Sequence, residues 1–118
     1  MAKPKQPAPI VDARDVERIV RRDFSPDVAE TVLSVVATIE VREKSRVVIA
    51  CLKIAGGNFD RLRAELTSAS GYYREILSEA EYPLATKRWS KMSTMSDDER
   101  QAIYDSDWRQ YSEWLTRA

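Results

Sequence analysis

The residues of this sequence best suited to catalysis are carboxylates. Glu75 and Glu79 lie four residues apart, which on a helix places them one turn apart on one face, and Asp105 follows farther along the chain. Paired carboxylates perform acid–base catalysis when a cleft separates their pKa values. Because acids at helical spacing usually form a solvated face, we expect surface charges and no enzymatic activity. A small enzyme that uses paired carboxylates is kept as an alternative.

The chain has one cysteine and no histidine, which removes several common chemistries. A single cysteine cannot form an internal disulfide, and a structural zinc site needs four ligands, usually Cys or His. Cys51 lies among apolar residues without a histidine to activate it, so we expect a small core residue rather than a nucleophile. We predict no catalytic residue, no metal site and no cofactor.

Two of the three glycines, Gly56 and Gly57, stand together in the segment KIAGGN. A phosphate-binding loop would have a strand before its glycines and Lys-Ser or Lys-Thr after them. Here the lysine comes first, and Asn58 follows as a good N-cap. The pair therefore predicts the end of one helix and the start of the next, since glycine readily adopts the left-handed conformation found there.

Aromatic residues are concentrated near the C-terminus, where eight of the ten follow Gly71. In the last predicted helix Tyr104, Trp108 and Tyr111 recur at helical spacing, and such a stripe usually packs on a core. Tyr and Trp are also enriched at the energetic centres of protein interfaces, so we expect part of the group to contact a protein partner or a second copy of the chain. The candidate surface consists of Arg88, Trp89, Tyr104, Trp108, Tyr111 and Trp114.

Charge is unevenly distributed, although 19 Lys and Arg residues balance 19 Asp and Glu residues. The segment 82–95 contains Lys87, Arg88 and Lys91 and no acid, whereas residues 96–118 contain six acids and three bases. We expect the basic segment to fold along the acidic helix. Exposed ion pairs of this kind contribute only about 0–1 kcal/mol each.

A nucleic-acid-binding accessory protein is the other alternative. The three basic residues surround Trp89, which could stack on a base, and residues 14–32 read as two helices joined by a short turn. However, the second of these helices is mostly Val, Ala and Thr and lacks the side chains that reach base edges. The chain also has no overall basic excess, so nucleic-acid binding is disfavoured.

The prolines and the length of the chain suggest its organisation. Pro4, Pro7 and Pro9 predict a flexible, extended arm over residues 1–11. Residues 12–118 then form a single helical domain. Within it we distinguish a core (12–84) and a C-terminal extension (85–118).

Helix caps and apolar spacing indicate helices through most of this domain. The segment RVVIACLKIA could be a strand by itself, but no second strand signal exists to pair with it. Since it is apolar almost all round, we place it as a helix at the centre of a bundle. The fold class is therefore all-α, a compact bundle of five to six helices with a long C-terminal helix packed on the core. The predicted helices cover about 13–24, 26–41, 45–55, 59 to a break or kink near Gly71, 72–81, and 97 towards 117, with a connection over 82–95.

The motifs LKIAGGN, YYREIL and AEYP follow one another between Leu52 and Pro83. In this order they resemble an uncharacterised family of small all-helical bacterial proteins. The resemblance covers residues 46–83 and implies a bacterial, cytosolic helical module, without catalytic or binding residues to transfer. No apolar run reaches the roughly 20 residues that span a membrane, and the N-terminus lacks a secretory signal, so we expect a cytoplasmic protein.

Overall fold

Seven helices form the regular structure of residues 4–118, which are the residues described by the computed structural model of this protein, and no strand occurs among them. The predicted all-α class is confirmed, as is the long C-terminal helix. The helices are α1 (Ala13–Asp23), α2 (Pro26–Thr38), α3 (Lys44–Ala55), α4 (Phe59–Glu81), α5 (Pro83–Lys87), α6 (Trp89–Met92) and α7 (Asp97–Thr116).

Local sequence signals set several helix ends as predicted. The Asp12 side chain caps α1, and Ser96 with Glu99 forms the capping box of α7. Gly56 ends α3 in the left-handed conformation with φ of 57°, and the Asn58 side chain accepts a hydrogen bond from the first turn of α4. The glycine pair therefore separates two helices.

Helix α3 lies at the centre of the bundle, as its composition predicts. Residues 47–52 are completely buried, and α3 packs mainly against α4 and α1. Cys51 is one of these buried residues and forms no disulfide. Helix α7 joins this core through Tyr111, whereas Ala85, Met92 and Ile103 form a second, smaller apolar cluster.

The break or kink predicted near Gly71 is confirmed, because two helical stretches of α4 meet at Tyr72, whose φ of −129° and ψ of 29° are not helical. One predicted connection is wrong. The connection over 82–95 contains the short helices α5 and α6, since Pro83 occupies the first position of α5, where its fixed φ suits a helix and its missing N–H is not needed.

The described part of the predicted arm, residues 4–11, has no regular secondary structure. It lies against the domain, with Pro9 buried and the Tyr82 hydroxyl donating a hydrogen bond to the Pro7 carbonyl oxygen at 2.9 Å. Residues 1–3 of the predicted arm lie outside the described residues. The mobility of the arm stays a prediction.

We expect the protein to lose stability at alkaline pH. Burial raises the pKa of the Cys51 thiol to about 12 and raises the pKa of the Tyr111 phenol, against about 8.5 and 10 for these groups in an unfolded chain. The folded state therefore holds these protons more tightly. Their stabilisation is complete below pH ~8.5 and decreases as pH rises through the folded pKa, by about 1.4 kcal/mol per pH unit for each group.

Urea unfolding between pH 7 and 11 measures this loss. Burial lowers the pKa of Lys53, which acts in the opposite direction at high pH, so matched variants are needed. Cys51→Ala removes the thiol contribution, and Tyr111→Phe removes a hydroxyl that has no hydrogen-bond partner within residues 4–118. The same decline in wild type and in both variants would contradict the assignment.

Candidate functional site

Three of the six predicted surface residues, Trp108, Tyr111 and Trp114, pack along α7 against the main core. Neighbouring rings in this row lie 6.3 and 6.0 Å apart, centre to centre, within the range of favourable aromatic pairs. Tyr111 is completely buried, so in this conformation it offers no area to a partner, and the other two are half-buried. The stripe mainly docks α7 on the bundle.

Two arginines of α1 hold the end of this row. The Arg22 guanidinium lies 4.9 Å from the centre of the Trp114 ring, and its Nη1 donates to the carbonyl oxygens of Trp114 at 2.7 Å and Arg117 at 3.0 Å. Arg18 Nη2 donates to the Leu115 carbonyl oxygen at 2.7 Å. Cations at a helix C-terminus are favourable, so Trp114 belongs to a structural contact between α1 and α7.

The other three predicted residues lie at or beside α5 and α6. Arg88 is exposed between the two helices, and Trp89, the first residue of α6, has 71% of its surface exposed. Tyr104 is half-buried on α7 and lines a groove together with Trp89. We call the exposed group Lys87, Arg88, Trp89 and Lys91, together with Tyr104, the Trp89 surface.

Helix α5 is held in place by a buried carboxylate of α7. Asp107 is 1% exposed, and its two oxygens accept hydrogen bonds from the backbone N–H groups of Leu84 and Ala85, each at 2.9 Å. A carboxylate at the first turn of a helix satisfies free N–H groups and complements the helix dipole. On α6, Met92 points into the smaller cluster with Ile103. These contacts attach the segment that carries Trp89.

The three basic residues of the Trp89 surface carry exposed positive charges. Lys87, Arg88 and Lys91 are all exposed, and none forms an ion pair within residues 4–118. The predicted pairing with the acidic helix is therefore not formed directly. In that helix Asp97 pairs with Arg100 at 2.8 Å. Three positive charges thus remain available on five consecutive positions around the exposed indole.

Two grooves flank Trp89, with volumes of about 400 and 510 Å³. Both fall in the size range of ligand pockets. The first groove is lined by Trp89, Ser90, Met92, Ser93, Arg100 and Tyr104. The second groove is lined by Gln6, Ser78, Tyr82, Ala85, Thr86 and Trp89.

A partly buried polar network leads from the core to the second groove, and sequence reasoning missed it. Arg46 donates to Glu81 through Nε at 2.9 Å and Nη2 at 2.6 Å, and Glu81 is 2% exposed. Arg46 Nη2 also lies 3.5 Å from the hydroxyl of Tyr82, which donates to the Pro7 carbonyl oxygen. Burial raises the pKa of Tyr82, which keeps its phenol protonated and able to donate.

The carboxylates considered for catalysis lie apart from these grooves. Glu75, Glu79 and Asp105 are exposed, and none of them lines either groove beside Trp89. Asp105 instead accepts a hydrogen bond from Gln101 at 2.9 Å. Among residues 4–118 no three His, Cys, Asp or Glu side chains gather as metal ligands, and no helix there is long and apolar enough to cross a membrane.

Comparison of this chain with protein-family models, with curated proteins and with solved structures finds no match. The resemblance of residues 46–83 to a family of small bacterial proteins stays a prediction.

Proposed function

We propose that this protein is a non-enzymatic, cytoplasmic binding protein that recognises an acidic segment of a protein partner through the Trp89 surface. The observation that carries the proposal is an indole with 71% of its surface exposed, between two grooves and beside three cations that form no ion pair within residues 4–118. Trp and Arg dominate the energetic centres of protein interfaces. A single exposed apolar side chain is ordinary by itself, so the proposal depends on the indole, the cations and the grooves occurring together.

The charges define the partner. Lys87, Arg88 and Lys91 attract an acidic segment, since complementary charge raises the rate and the specificity of association. An apolar partner side chain beside Trp89 would complete the contact.

Nucleic acid has the same negative charge but fits less well. The basic run is short, and Asp98 and Glu99 are exposed nearby in sequence, so an extended phosphate backbone would meet charges of both signs. A second copy of the chain is the alternative that these acids favour, because the acidic first turn of α7 in one copy complements the basic segment of another.

Selection from a displayed library of random 12-residue peptides tests the proposal. We expect enriched peptides in which Asp or Glu surround a Leu, Phe or Trp. Trp89→Ala should weaken their binding by about 2 kcal/mol, or roughly 30-fold. The matched control is Tyr72→Ala, because Tyr72 is also highly exposed, at 64%, but lies outside the Trp89 surface.

The alternatives give different results in parallel measurements. Light scattering that reports a dimer for wild type and a monomer for the double variant Lys87→Glu/Lys91→Glu would favour self-association. Salt-dependent binding of single- or double-stranded oligonucleotides, without enriched acidic peptides, would favour the nucleic-acid reading. Equal binding by wild type and Trp89→Ala would overturn the proposed surface.

A further inference from the structure

The arm is bound by side chains in the way that a peptide ligand is bound. The backbone N–H of Lys5 donates to Gln101 Oε1 at 2.9 Å, and Gln101 Nε2 donates to the Lys5 carbonyl oxygen at 3.2 Å. One amide side chain thus binds both backbone groups of one residue. Gln101 Nε2 also donates to Asp105 at 2.9 Å, which orients the amide.

A second backbone contact follows two residues later. The Tyr82 hydroxyl donates to the Pro7 carbonyl oxygen at 2.9 Å, and Pro9 is buried. Side chains of the domain thus bind the carbonyl groups of two residues of the arm, Lys5 and Pro7.

The chemistry of the arm suits this mode of recognition. Pro4, Pro7 and Pro9 lack backbone N–H groups and have restricted φ angles, so the segment loses little conformational entropy on binding and is read mainly through its carbonyl groups. Proline-containing ligands bind in aromatic-lined grooves for this reason. Tyr82 and Trp89 line the second groove, and Gln6 of the arm supplies part of its wall.

We infer that the surface on which Gln101 and Tyr82 hold the arm is a binding site for a proline-containing peptide, and that residues 4–9 occupy it in cis, beside the second groove. The polar contacts of the arm are few, and those to Gln101 are exposed, so a segment of the same chemistry in a partner can exchange with the arm. This inference concerns the contacts made by Gln101 and Tyr82 and does not depend on recognition of an acidic partner by the Trp89 surface.

A full-length variant with a detached arm tests the inference. Pro7→Asp/Pro9→Asp removes the buried proline and places charge in the arm, while every helix of the domain keeps its sequence. The probe is a synthetic peptide of residues 4–11, PKQPAPIV, and the readouts are the NMR signals of the Trp89 indole N–H and of the Gln101 side-chain amide.

We expect the detached-arm variant to bind PKQPAPIV at least tenfold more tightly than wild type, because a tethered arm competes at an effective concentration of about 1 mM. A peptide with its three prolines replaced by alanine should bind more weakly. Adding Tyr82→Phe to the detached-arm variant should weaken binding roughly fivefold, because the hydroxyl that donates to the Pro7 carbonyl oxygen is lost while the ring is kept.

Two results would overturn the inference. One is a detached-arm variant that keeps wild-type circular dichroism and does not bind PKQPAPIV. The other is equal affinity of the peptide for wild type and for the variant. Enrichment of acidic peptides on wild type is a separate measurement, so failure of the proposed function and failure of this inference are distinguishable.

Discussion

Replacing Arg46 with methionine is expected to lower the free energy of unfolding by about 3–5 kcal/mol. Methionine replaces the unbranched aliphatic part of the Arg46 side chain but not its guanidinium, which donates to Glu81 at 2.9 and 2.6 Å. The Glu81 carboxylate, which is 2% exposed, is therefore left without this partner. An unpaired buried charge costs more than the ion pair itself contributes. For a protein of total stability about 5–15 kcal/mol this is a large fraction.

Urea unfolding followed by circular dichroism measures the effect, and two further variants define its cause. Arg46→Lys keeps the positive charge but cannot form the bidentate ion pair, so we expect an intermediate decrease in the free energy of unfolding. In Arg46→Met/Glu81→Leu both charges are absent, and most of the stability should return. A loss below about 1 kcal/mol in Arg46→Met would show that Glu81 finds another partner or reaches water.

Replacing Asp107 with alanine is expected to cost about 2–3 kcal/mol and to release α5 and α6 from α7. The backbone N–H groups of Leu84 and Ala85 each lose an acceptor at 2.9 Å in a site where Ala85 is buried. Because these helices carry Trp89, the variant should also bind acidic peptides weakly although the Trp89 surface keeps its sequence.

Hydrogen exchange over residues 83–92, together with urea unfolding, checks this prediction. The matched control is Glu113→Ala, which removes an exposed acid from the same helix and should change stability by less than about 0.5 kcal/mol. Unchanged exchange at residues 83–92 in Asp107→Ala would show that the apolar contacts of Met92 and Ile103 are enough to hold the segment.

Pro83 gives two local signals, the end of one helix and the start of the next, and only the first was predicted. A proline that follows a helix disfavours helical geometry in the preceding residue, and this correctly predicts that α4 ends near Glu81. The same proline suits the first position of a new helix. Since α5 has only five residues and α6 four, their side chains show too few turns for periodicity to reveal them.

The six residues of the predicted candidate surface show where helical periodicity stops being informative. The spacing of Trp108 and Tyr111 correctly indicates that they share a face, and such a face usually packs on a core, but periodicity does not say how completely each ring is buried. The docking of α7 on the core places Tyr111 inside. It leaves Trp89, which belongs to no periodic stripe, as the most exposed tryptophan.

The helical class, the central position of α3 and most helix ends can be predicted from the amino-acid sequence, because they depend on interactions within about four residues and on the burial of apolar side chains. The polar contacts that build the site depend instead on how distant parts of the chain pack together. Arg46 meets Glu81 across 35 residues, Asp107 meets Leu84 across 23, and Lys5 meets Gln101 across 96. The chain contains 38 charged residues, and the local sequence around each of them does not show which ones will pair. The packing of the helices determines which of them become neighbours.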